Sequence, residues 1–417
     1  MLSLAELTAY FSTRNSKFEV QYFSREFFVI DLEKNLESSA VADLGGTIKI
    51  GQPKTTLPTQ IVKEAFLNKN KQAQKQIIKT IAASNIPVGM TPEKLLFGVS
   101  VYFTDNTLSP VSGRMQRFIG SAIKEELAGL GKKANFMGYS VERKQAQLSH
   151  VEVLKKNLVK NQAEVLFCVG KAETWIATTI AVHNPFEFQK RDVFKPNQRV
   201  IFGMPPRLAR IMVNLSACTE GKTLLDPFCG VGTILQEALM EKATVVGMDV
   251  NPWCIKASQE NLEWLTKEYE LVNADFRVLL GEVGRMAEKV GLESIDCIVS
   301  EPDLGPALRE VPTVPYAQKI IEKLEPLFFG FIEEAYRTLK PKGHLVLVTP
   351  YIKTRSNEAV TMPIGDQLES VGFKRIYSFS TEMFSKNLDV GRLTHSASLV
   401  EMDERHKIGR EIHILEK

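Results

Sequence analysis

The feature that most limits how this chain can fold is a pattern repeated from Gly221 onward: a short β-rich segment, a turn, and then a helix. The β-rich segments cover residues 223–225, 244–249, 297–300 and 344–349, and the helical segments cover 233–241, 255–265 and 317–339. Strands separated by helices of this length predict a parallel, doubly wound sheet. Because ligands of such a sheet bind beyond the carboxyl ends of its strands, we expect a site in the turns that follow them.

The first half of the chain has a different, α+β pattern. A helix over 4–11 precedes strands over 18–23 and 27–31 and a Gly-Gly turn at Gly45 and Gly46. Helices then alternate with strands, including 95–103, 164–169 and 173–181, which predicts a mixed sheet with helices on one side. We expect a small domain over 1–55, a second domain over 56–183, a linker over 184–200 and the doubly wound domain over 201–417.

The charge is divided unevenly between the two halves. Lys and Arg total 52 against 49 Asp and Glu, a net charge of only +3. Residues 1–190 hold 24 basic and 17 acidic side chains, and residues 191–417 hold 28 and 32, so the halves carry +7 and −4. Such asymmetry indicates nucleic-acid contact by the basic half, with a solvated lysine-rich face as the alternative. Lys63, Lys71 and Lys75 are the candidate contacts.

Composition narrows the class of protein further. The five cysteines form no C-x-x-C pair and the six histidines show no metal-ligand spacing, so we expect neither disulfides nor a metal. No apolar run approaches the ~18 residues of a membrane span, and the first residues lack the pattern of a secretion signal. The sequence therefore favours a cytoplasmic protein.

The most informative turn is Asp-Pro-Phe-Cys-Gly-Val-Gly-Thr at residues 226–233, directly after an apolar strand. Gly230 and Gly232 let the backbone approach a bound molecule closely, and Asp249 ends the next strand, where it can accept hydrogen bonds from ribose hydroxyls. A dinucleotide fingerprint would need a third glycine where Leu235 stands, which disfavours a pyrophosphate. S-adenosylmethionine (SAM), an adenosine ligand without phosphates, fits this pattern.

Further cofactor contacts follow from the same reasoning. The carboxylate of Asp226 is assigned to the methionine end of SAM, and Asp275, near the third strand, to the adenine amino group. Phe228 lies in the turn and is included in this candidate site, although packing is the simpler role for it. The alternative is that all of these are ordinary turn residues.

These residues also resemble a known family. The turn is similar to the first motif of the amino-directed SAM-dependent nucleic-acid methyltransferases. Four further segments resemble the THUMP-domain tRNA guanine-N2 methyltransferases more narrowly: Leu-Gly-Gly-Thr at 44–47, Gln-Leu-Ser-His-Val-Glu-Val at 147–153, Arg-Asp at 191–192, and Gly-Met-Pro-Pro-Arg-Leu-Ala-Arg-Ile-Met-Val-Asn-Leu at 203–215.

The resemblance implies a fold and an activity. It implies a ferredoxin-like domain plus a THUMP domain that hold RNA, followed by a Rossmann-like SAM-dependent methyltransferase domain. The implied reaction is methylation of the N2 amine of a guanosine in tRNA. Some relatives need a small activating protein partner, and the resemblance leaves that requirement and the oligomeric state open.

The sequence departs from the family where the fourth strand ends. The family carries Asp-Pro-Pro-Tyr or Asp-Pro-Pro-Phe there, and this chain has Glu301, Pro302, Asp303 and Leu304. A carboxylate and a backbone carbonyl that accept the two N–H bonds of an amine hold its lone pair toward the methyl group. The resemblance therefore assigns this role to Glu301 and the carbonyl of Pro302, and base contact to Leu304.

Leu304 lacks the π face of an aromatic ring, whose stacking on a base is worth about 1–3 kcal/mol. Phe228, Tyr316 or Tyr351 could supply an aromatic ring instead. Three interpretations stay open: an amino-methyltransferase with a variant pocket, a methyltransferase for another nucleobase atom, and a SAM-binding protein without catalysis. A DNA amino-methyltransferase would use the same turn.

Overall fold

The computed structural model describes residues 1–34, 36–91, 94–138, 146–198, 203–386, 388, 390–391, 398–403 and 406–417. The chain divides into two compact units. The nine-stranded unit comprises Met1–Phe18, Asp43–Gly46 and Phe186–Lys417, and the five-stranded unit comprises Glu19–Ala42 and Thr47–Pro185. The names refer to the main sheet of each unit.

The elements follow the chain in two series. Those of the first half are α1 (Leu2–Thr13), β1 (Phe18–Phe23), β2 (Phe28–Leu32), β3 (Lys49–Pro58), α2 (Thr59–Phe66), α3 (Lys71–Ala83), α4 (Ile86–Gly89), β4 (Lys94–Phe103), α5 (Ser112–Gly129), β5 (Lys133–Met137), α6 (His150–Lys155), β6 (Glu164–Val169), β7 (Glu173–Val182) and α7 (Pro185–Val193). Those of the second half are α8 (Pro206–Leu215), β8 (Thr223–Asp226), α9 (Thr233–Met240), β9 (Thr244–Asp249), α10 (Pro252–Glu268), β10 (Phe276–Leu280), α11 (Met286–Val290), β11 (Ile295–Ser300), α12 (Val314–Thr338), β12 (Leu339–Lys353), β13 (Ala359–Thr361), α13 (Gly365–Val371), β14 (Lys374–Arg375), β15 (Leu399–Glu401) and β16 (Ile408–Glu416). Short 3-10 segments occupy Ser38–Asp43, Asn106–Val111, Val283–Arg285 and Thr381–Met383.

The five-stranded unit is a mixed sheet in the order β3-β7-β6-β4-β5. Every residue of β6 is buried, both Glu164 at its start and the continuous apolar run that follows. A large apolar cluster packs side chains of α2, α3 and α5 against the sheet. A smaller cluster joins Tyr22 and Phe27 to Trp175 of β7. The predicted alternation of helices and strands in this region is confirmed, and its identity as a THUMP domain stays a prediction.

The nine-stranded unit has the predicted Rossmann-like order. Its central path is β10-β9-β8-β11-β12-β16-β14, with β13 and β15 at the sides. The first five strands pair in parallel, and β16 runs antiparallel to both β12 and β14. The chain turns to opposite sides of β8 to reach β9 and β11, so the carboxyl ends of β8 and β11 flank the position where such sheets bind ligands.

The N-terminal helix belongs to the nine-stranded unit. The carboxylate of Glu6 on α1 accepts hydrogen bonds from the backbone N–H groups of Gly45 and Gly46, at 2.7 and 2.8 Å, and from the Asn214 side chain of α8 at 2.8 Å. Arg207 Nε donates to the Gly45 carbonyl oxygen at 2.7 Å, and a Cβ on Gly45 would lie 2.0 Å from the Arg207 carbonyl oxygen. The segments 44–47 and 203–215, both of which carry the family resemblance, therefore contact each other.

The predicted domain boundaries differ from these units in two places. Residues 1–18 and 43–46 do not join the rest of 1–55, because α1 packs on α8. The predicted linker over 184–200 contains α7, whose buried Arg191 forms an ion pair of 2.6 Å with Glu237 of α9. The described part of that segment is therefore an integral part of the fold rather than a free connection. The division into a ferredoxin-like and a THUMP domain stays a prediction.

Candidate active site

The turn between β8 and α9 has the backbone conformation that the glycines predicted. Gly230 and Gly232 have φ values of 53° and 82°, in the left-handed region that favours glycine. A Cβ on Gly232 would also lie 2.5 Å from Ser258 Oγ of α10. Gly232 is the N-cap of α9, and its N–H donates to the Cys229 carbonyl oxygen at 2.8 Å. The backbone conformation thus favours glycine at both positions, and the contact with Ser258 requires it at Gly232.

Asp226 ends β8 and is almost fully buried, with 2% of its surface exposed. Its Oδ1 accepts a hydrogen bond from the Ser300 hydroxyl at 2.7 Å and another from the Phe228 N–H at 3.2 Å. Burial is the main reason that the pKa of Asp226 rises to about 7. The two hydrogen bonds lower this pKa, and the negative charges on Asp249 and Glu301 raise it further. Such a carboxylate is well suited to a cationic ligand group.

Asp249 ends β9 and holds the glycine turn from the neighbouring strand. Its Oδ2 accepts from the Gly230 N–H at 3.0 Å, and its Oδ1 accepts from the Asn251 N–H at 2.9 Å. The structure therefore brings together Asp226, Gly230, Gly232 and Asp249 at one edge of the sheet, as the sequence predicted. Each carboxylate oxygen retains a lone pair for a further hydrogen bond.

The predicted position of Asp275 is wrong. Asp275 precedes β10, and its Oδ2 accepts from the Thr244 hydroxyl at the start of β9, at 3.2 Å. It therefore lies at the amino ends of the strands, on the opposite edge of the sheet from Asp249. The acid that follows the carboxyl end of β10 is the exposed Glu282. Sequence reasoning missed Glu282 because it did not locate β10, whose β-branched content is low.

Glu301 and Pro302 directly follow β11, next to the Ser300 hydroxyl that donates to Asp226. The Glu301 side chain is 13% exposed and forms a two-point ion pair with Arg410 of β16: Arg410 Nε lies 2.5 Å from Oε2, and Nη2 lies 3.3 Å from Oε1. Sequence reasoning missed Arg410, because its partner is 109 positions away and on a different strand.

The apolar residues of the predicted site contribute to packing. Leu304 is half-buried against the apolar cluster of the nine-stranded unit. Phe228 packs edge-on against Phe331 of α12, with ring centroids 5.4 Å apart. Tyr316, near the start of α12, is 50% exposed, so it is the more accessible candidate for contact with a base.

A cavity of 170 Å³ lies beside the start of α9. Lys195, which is 4% exposed, lines it together with Asp192, Val231 and Thr233. Lys195 Nζ donates to the Thr233 hydroxyl at 3.1 Å, and burial lowers the pKa of this ammonium group. Sequence reasoning missed Lys195, although Arg191 and Asp192 just before it carried part of the family resemblance.

The predicted substrate-binding lysines lie in the five-stranded unit. Lys71 and Lys75 are exposed, one turn apart on α3. Lys63 of α2 instead forms an ion pair of 2.7 Å with Asp105, which is the main reason that the pKa of Asp105 falls to about 2. Lys71 and Lys75 are therefore better placed than Lys63 to bind phosphates.

Two kinds of feature do not occur among the described residues. Within them, no group of three or more His, Cys, Asp or Glu side chains is arranged to hold a metal ion. None of the helices in the described part of the chain combines the length and the apolar character needed to span a bilayer.

Comparison with known proteins adds to this geometry. Residues 196–362 match the family model described as the RMKL-like methyltransferase domain. The chain is 34% identical over 161 residues to the tRNA (guanine(10)-N2)-dimethyltransferase of Methanothermobacter thermautotrophicus, covering 38% of this chain and 42% of the relative. It is 27% identical over 237 residues to the enzyme of the same name from Pyrococcus abyssi, covering 57% and 63%. Each match spans less than two thirds of the relative's length.

A solved structure supports the fold. The alignment with the crystal structure of TrmN from Thermus thermophilus covers 100% of this chain and 96% of the TrmN chain. Its TM-score is 0.54 and the sequence identity is 16%. The predicted fold class, a C-terminal Rossmann-like domain in an α/β chain, is confirmed, and so is the resemblance to the THUMP-domain tRNA guanine-N2 methyltransferases.

Proposed function

We propose that this chain is a SAM-dependent methyltransferase that acts on the exocyclic N2 amine of a guanosine in tRNA. The main support is the position of Glu301, at the end of β11 and one residue from the Ser300 hydroxyl that donates to Asp226. A candidate amine acceptor therefore lies beside the candidate cofactor site. The names of the similar archaeal enzymes support guanosine in tRNA as the substrate.

The residues at the sheet edge fit SAM. When bound, SAM would supply a methyl group on a sulfonium, which a neutral amine can attack. The positive φ values favour glycine at Gly230 and Gly232, and a Cβ on Gly232 would also collide with Ser258. Asp226, whose hydrogen bonds come from neutral donors, would accept from the ammonium group of SAM. Asp249 would accept from the ribose, and the buried Lys195 ammonium would meet the methionine carboxylate.

Glu301 and the carbonyl of Pro302 would orient the target amine. The lone pair of an amine on an aromatic ring is delocalised, so its reactivity depends on how the amine is held. Two acceptors for its N–H bonds turn the lone pair toward the methyl group. Placement of the guanine requires the base to leave its stack, because N2 lies in the minor groove of a duplex. Leu304 would contact the base through its apolar surface.

We further propose that the five-stranded unit binds tRNA through phosphates and shape, which suits an A-form helix whose deep groove side chains cannot read. Lys71 and Lys75 are the candidate contacts. The cytoplasm, where tRNA is found, is the proposed compartment.

The test is incubation of the protein with total tRNA and SAM carrying a labelled methyl group, followed by digestion and nucleoside mass spectrometry. We expect labelled N2-methylguanosine, and a time course would show whether a second methyl is added. Duplex DNA in a parallel reaction is the control. Label in DNA but not in tRNA would contradict the proposal and indicate a DNA amino-methyltransferase.

A SAM-binding protein without catalysis is the second candidate. One observation favours it: both carboxylate oxygens of Glu301 already accept hydrogen bonds from Arg410. Binding of SAM in a calorimeter, combined with no label in any nucleic acid, would support this alternative.

A further inference from the structure

We propose that Arg410 is a positioning residue for the reaction, which holds the Glu301 carboxylate in the orientation that accepts the target amine. The proposal rests on the proposed function, in which Glu301 is that acceptor. It concerns a residue of β16, a strand that contains none of the motif residues.

The contact has the geometry of a fork. Arg410 Nε and Nη2 each donate to a different oxygen of Glu301, so the guanidinium and carboxylate planes are fixed relative to each other. Nη1 donates to Glu401 at 3.2 Å. The Arg410 side chain is 9% exposed and that of Glu401 is 30% exposed. One buried guanidinium thus joins the carboxylate that follows β11 to a carboxylate of β15.

The sheet holds Arg410 on both sides. Arg410 pairs with Pro350 of β12 in one antiparallel ladder and with Glu401 of β15 in another. A residue paired on both sides of its strand has little freedom to move. Arg410 therefore fixes the Glu301 carboxylate relative to the sheet. Glu301 lies just after the end of β11, and without Arg410 only its own side-chain torsions would set the position of its carboxylate.

The substitution of Glu for the family's Asp explains why such a support is needed. Glu has one more methylene and one more torsion than Asp, so more rotamer freedom is lost when its carboxylate is held in one place. The fork restricts these torsions before substrate arrives. Arg410 takes one lone pair of each oxygen, and the other lone pair of each remains for the amine N–H bonds. The fork and the amine can therefore be accommodated together.

The test measures steady-state methyl transfer to tRNA by R410Q, R410K and E301Q and by the double variant E301Q/R410Q. R337Q is the control. Arg337 also forms an ion pair with a glutamate, Glu334, but this pair lies at the C-terminal end of α12, next to the start of β12 and away from Glu301. We expect R410Q to lose about 100-fold in kcat, the scale of a small misplacement of reacting groups. The KM for tRNA and the Kd for SAM should stay unchanged.

R410K keeps the charge without the fork, so it should recover part of the rate, about 10-fold below the wild type. It also decides the outcome if R410Q, which leaves a buried carboxylate without its partner, lowers the thermal midpoint. In the E301Q background, R410Q should cause no further loss, because Arg410 acts only through the Glu301 carboxylate that E301Q has already removed.

Full kcat in R410Q and R410K would overturn the positioning role and leave the proposed function intact. Equal losses in R410Q and R337Q would also overturn it, since any ion pair would then suffice. If the wild type methylates another nucleic acid instead of tRNA, the proposed function fails and the same variants test Arg410 on that acceptor. A wild type that binds SAM but methylates nothing would overturn both proposals.

Discussion

The carboxylate of Asp226 lies in an environment very different from water. It is buried, and its pKa of about 7 is far above the ordinary aspartate value of 3.8. An acid with a raised pKa in the folded state binds its proton more tightly there than in the unfolded chain. Its contribution to stability is therefore full below pH 4 and is lost as the pH rises toward 7.

The variant D226N tests this without removing the acceptor for the Ser300 and Phe228 hydrogen bonds. We expect D226N and the wild type to have similar free energies of unfolding near pH 4, and D226N to be more stable at pH 8 in the absence of SAM. The difference should be about 4 kcal/mol, at about 1.4 kcal/mol for each of the roughly three pKa units. Urea denaturation from pH 4 to 8 measures it. Parallel pH profiles for the two proteins would contradict the assignment.

Asp249 and Asp275 form a matched pair, because both are carboxylates next to β9 or β10 but at opposite edges of the sheet. We expect D249N to weaken SAM binding at least about 10-fold, since one charge-assisted hydrogen bond is worth about 1.5–3 kcal/mol. D275N should leave the Kd unchanged. Calorimetry of both variants decides the matter. An equal loss in D275N would show that the adenine end lies where the sequence first indicated.

Individual residues also show where sequence reasoning ends. The glycine turn and the acids after β8 and β9 were predictable, because short-range chemistry dictates them. The fork between Glu301 and Arg410 was not, since it depends on the register of β16 against β12. Glu282 was missed and Asp275 misplaced for a single reason: β10 was not located. An acid before the strand and an acid after it lie at opposite edges of the sheet.

Among the elements, strands with strong apolar patterns were predicted closely. β6 and β9 have the predicted bounds, and β4 differs by one residue. β12 extends beyond the predicted 344–349 at both ends: Leu339 pairs with β11, and the pairing with β16 continues to Ile352. The antiparallel strands β14 and β16 were not predicted. Helix–strand alternation indicates the parallel part of a sheet but contains no signal for strands added at its edge.

Helix α3 is the element that carries the proposed RNA contact. Lys71 and Lys75 lie one turn apart on its exposed side, while Ala73, Ile77 and Ile81 face the core. We expect K71A/K75A to weaken tRNA binding and to reduce the slope of log affinity against log salt by about 2, one unit for each phosphate that is no longer neutralised. Filter binding at several salt concentrations measures both.

K63A is the comparison for that experiment. Because Lys63 is engaged by Asp105, its removal should change the salt slope less than the removal of either α3 lysine. An unchanged slope in K71A/K75A would place the RNA contact on another surface.

For the whole molecule, the excess of basic side chains should be counted over the five-stranded unit rather than over residues 1–190. The sequence indicated nucleic-acid contact by residues 1–190, which would predict that this segment binds tRNA when separated from the rest. The structure shows that α1 buries Leu4, Leu7 and Phe11 within the nine-stranded unit, so a fragment ending at 190 would expose them.

A fragment of residues 19–185 avoids this exposure. It keeps 21 Lys and Arg against 15 Asp and Glu. We expect it to be monomeric and to bind tRNA with a strong salt dependence, whereas the 1–190 fragment should self-associate through α1. Size-exclusion chromatography and filter binding test the two fragments. Equal monomeric behaviour would mean that α1 does not need the later part of the chain.

The contact of Glu6 with Asn214 also sets an order of events during synthesis. Helix α1 leaves the ribosome well before its partner α8, which begins at Pro206, about 200 residues later. At about 5–20 residues per second, α1 must wait about 10–40 s with its apolar face uncovered. The five-stranded unit, encoded almost entirely between these two helices, has that interval to fold. Helix α1 is thus made long before it can pack against its partner, which makes the growing chain dependent on whatever shields that helix in the meantime.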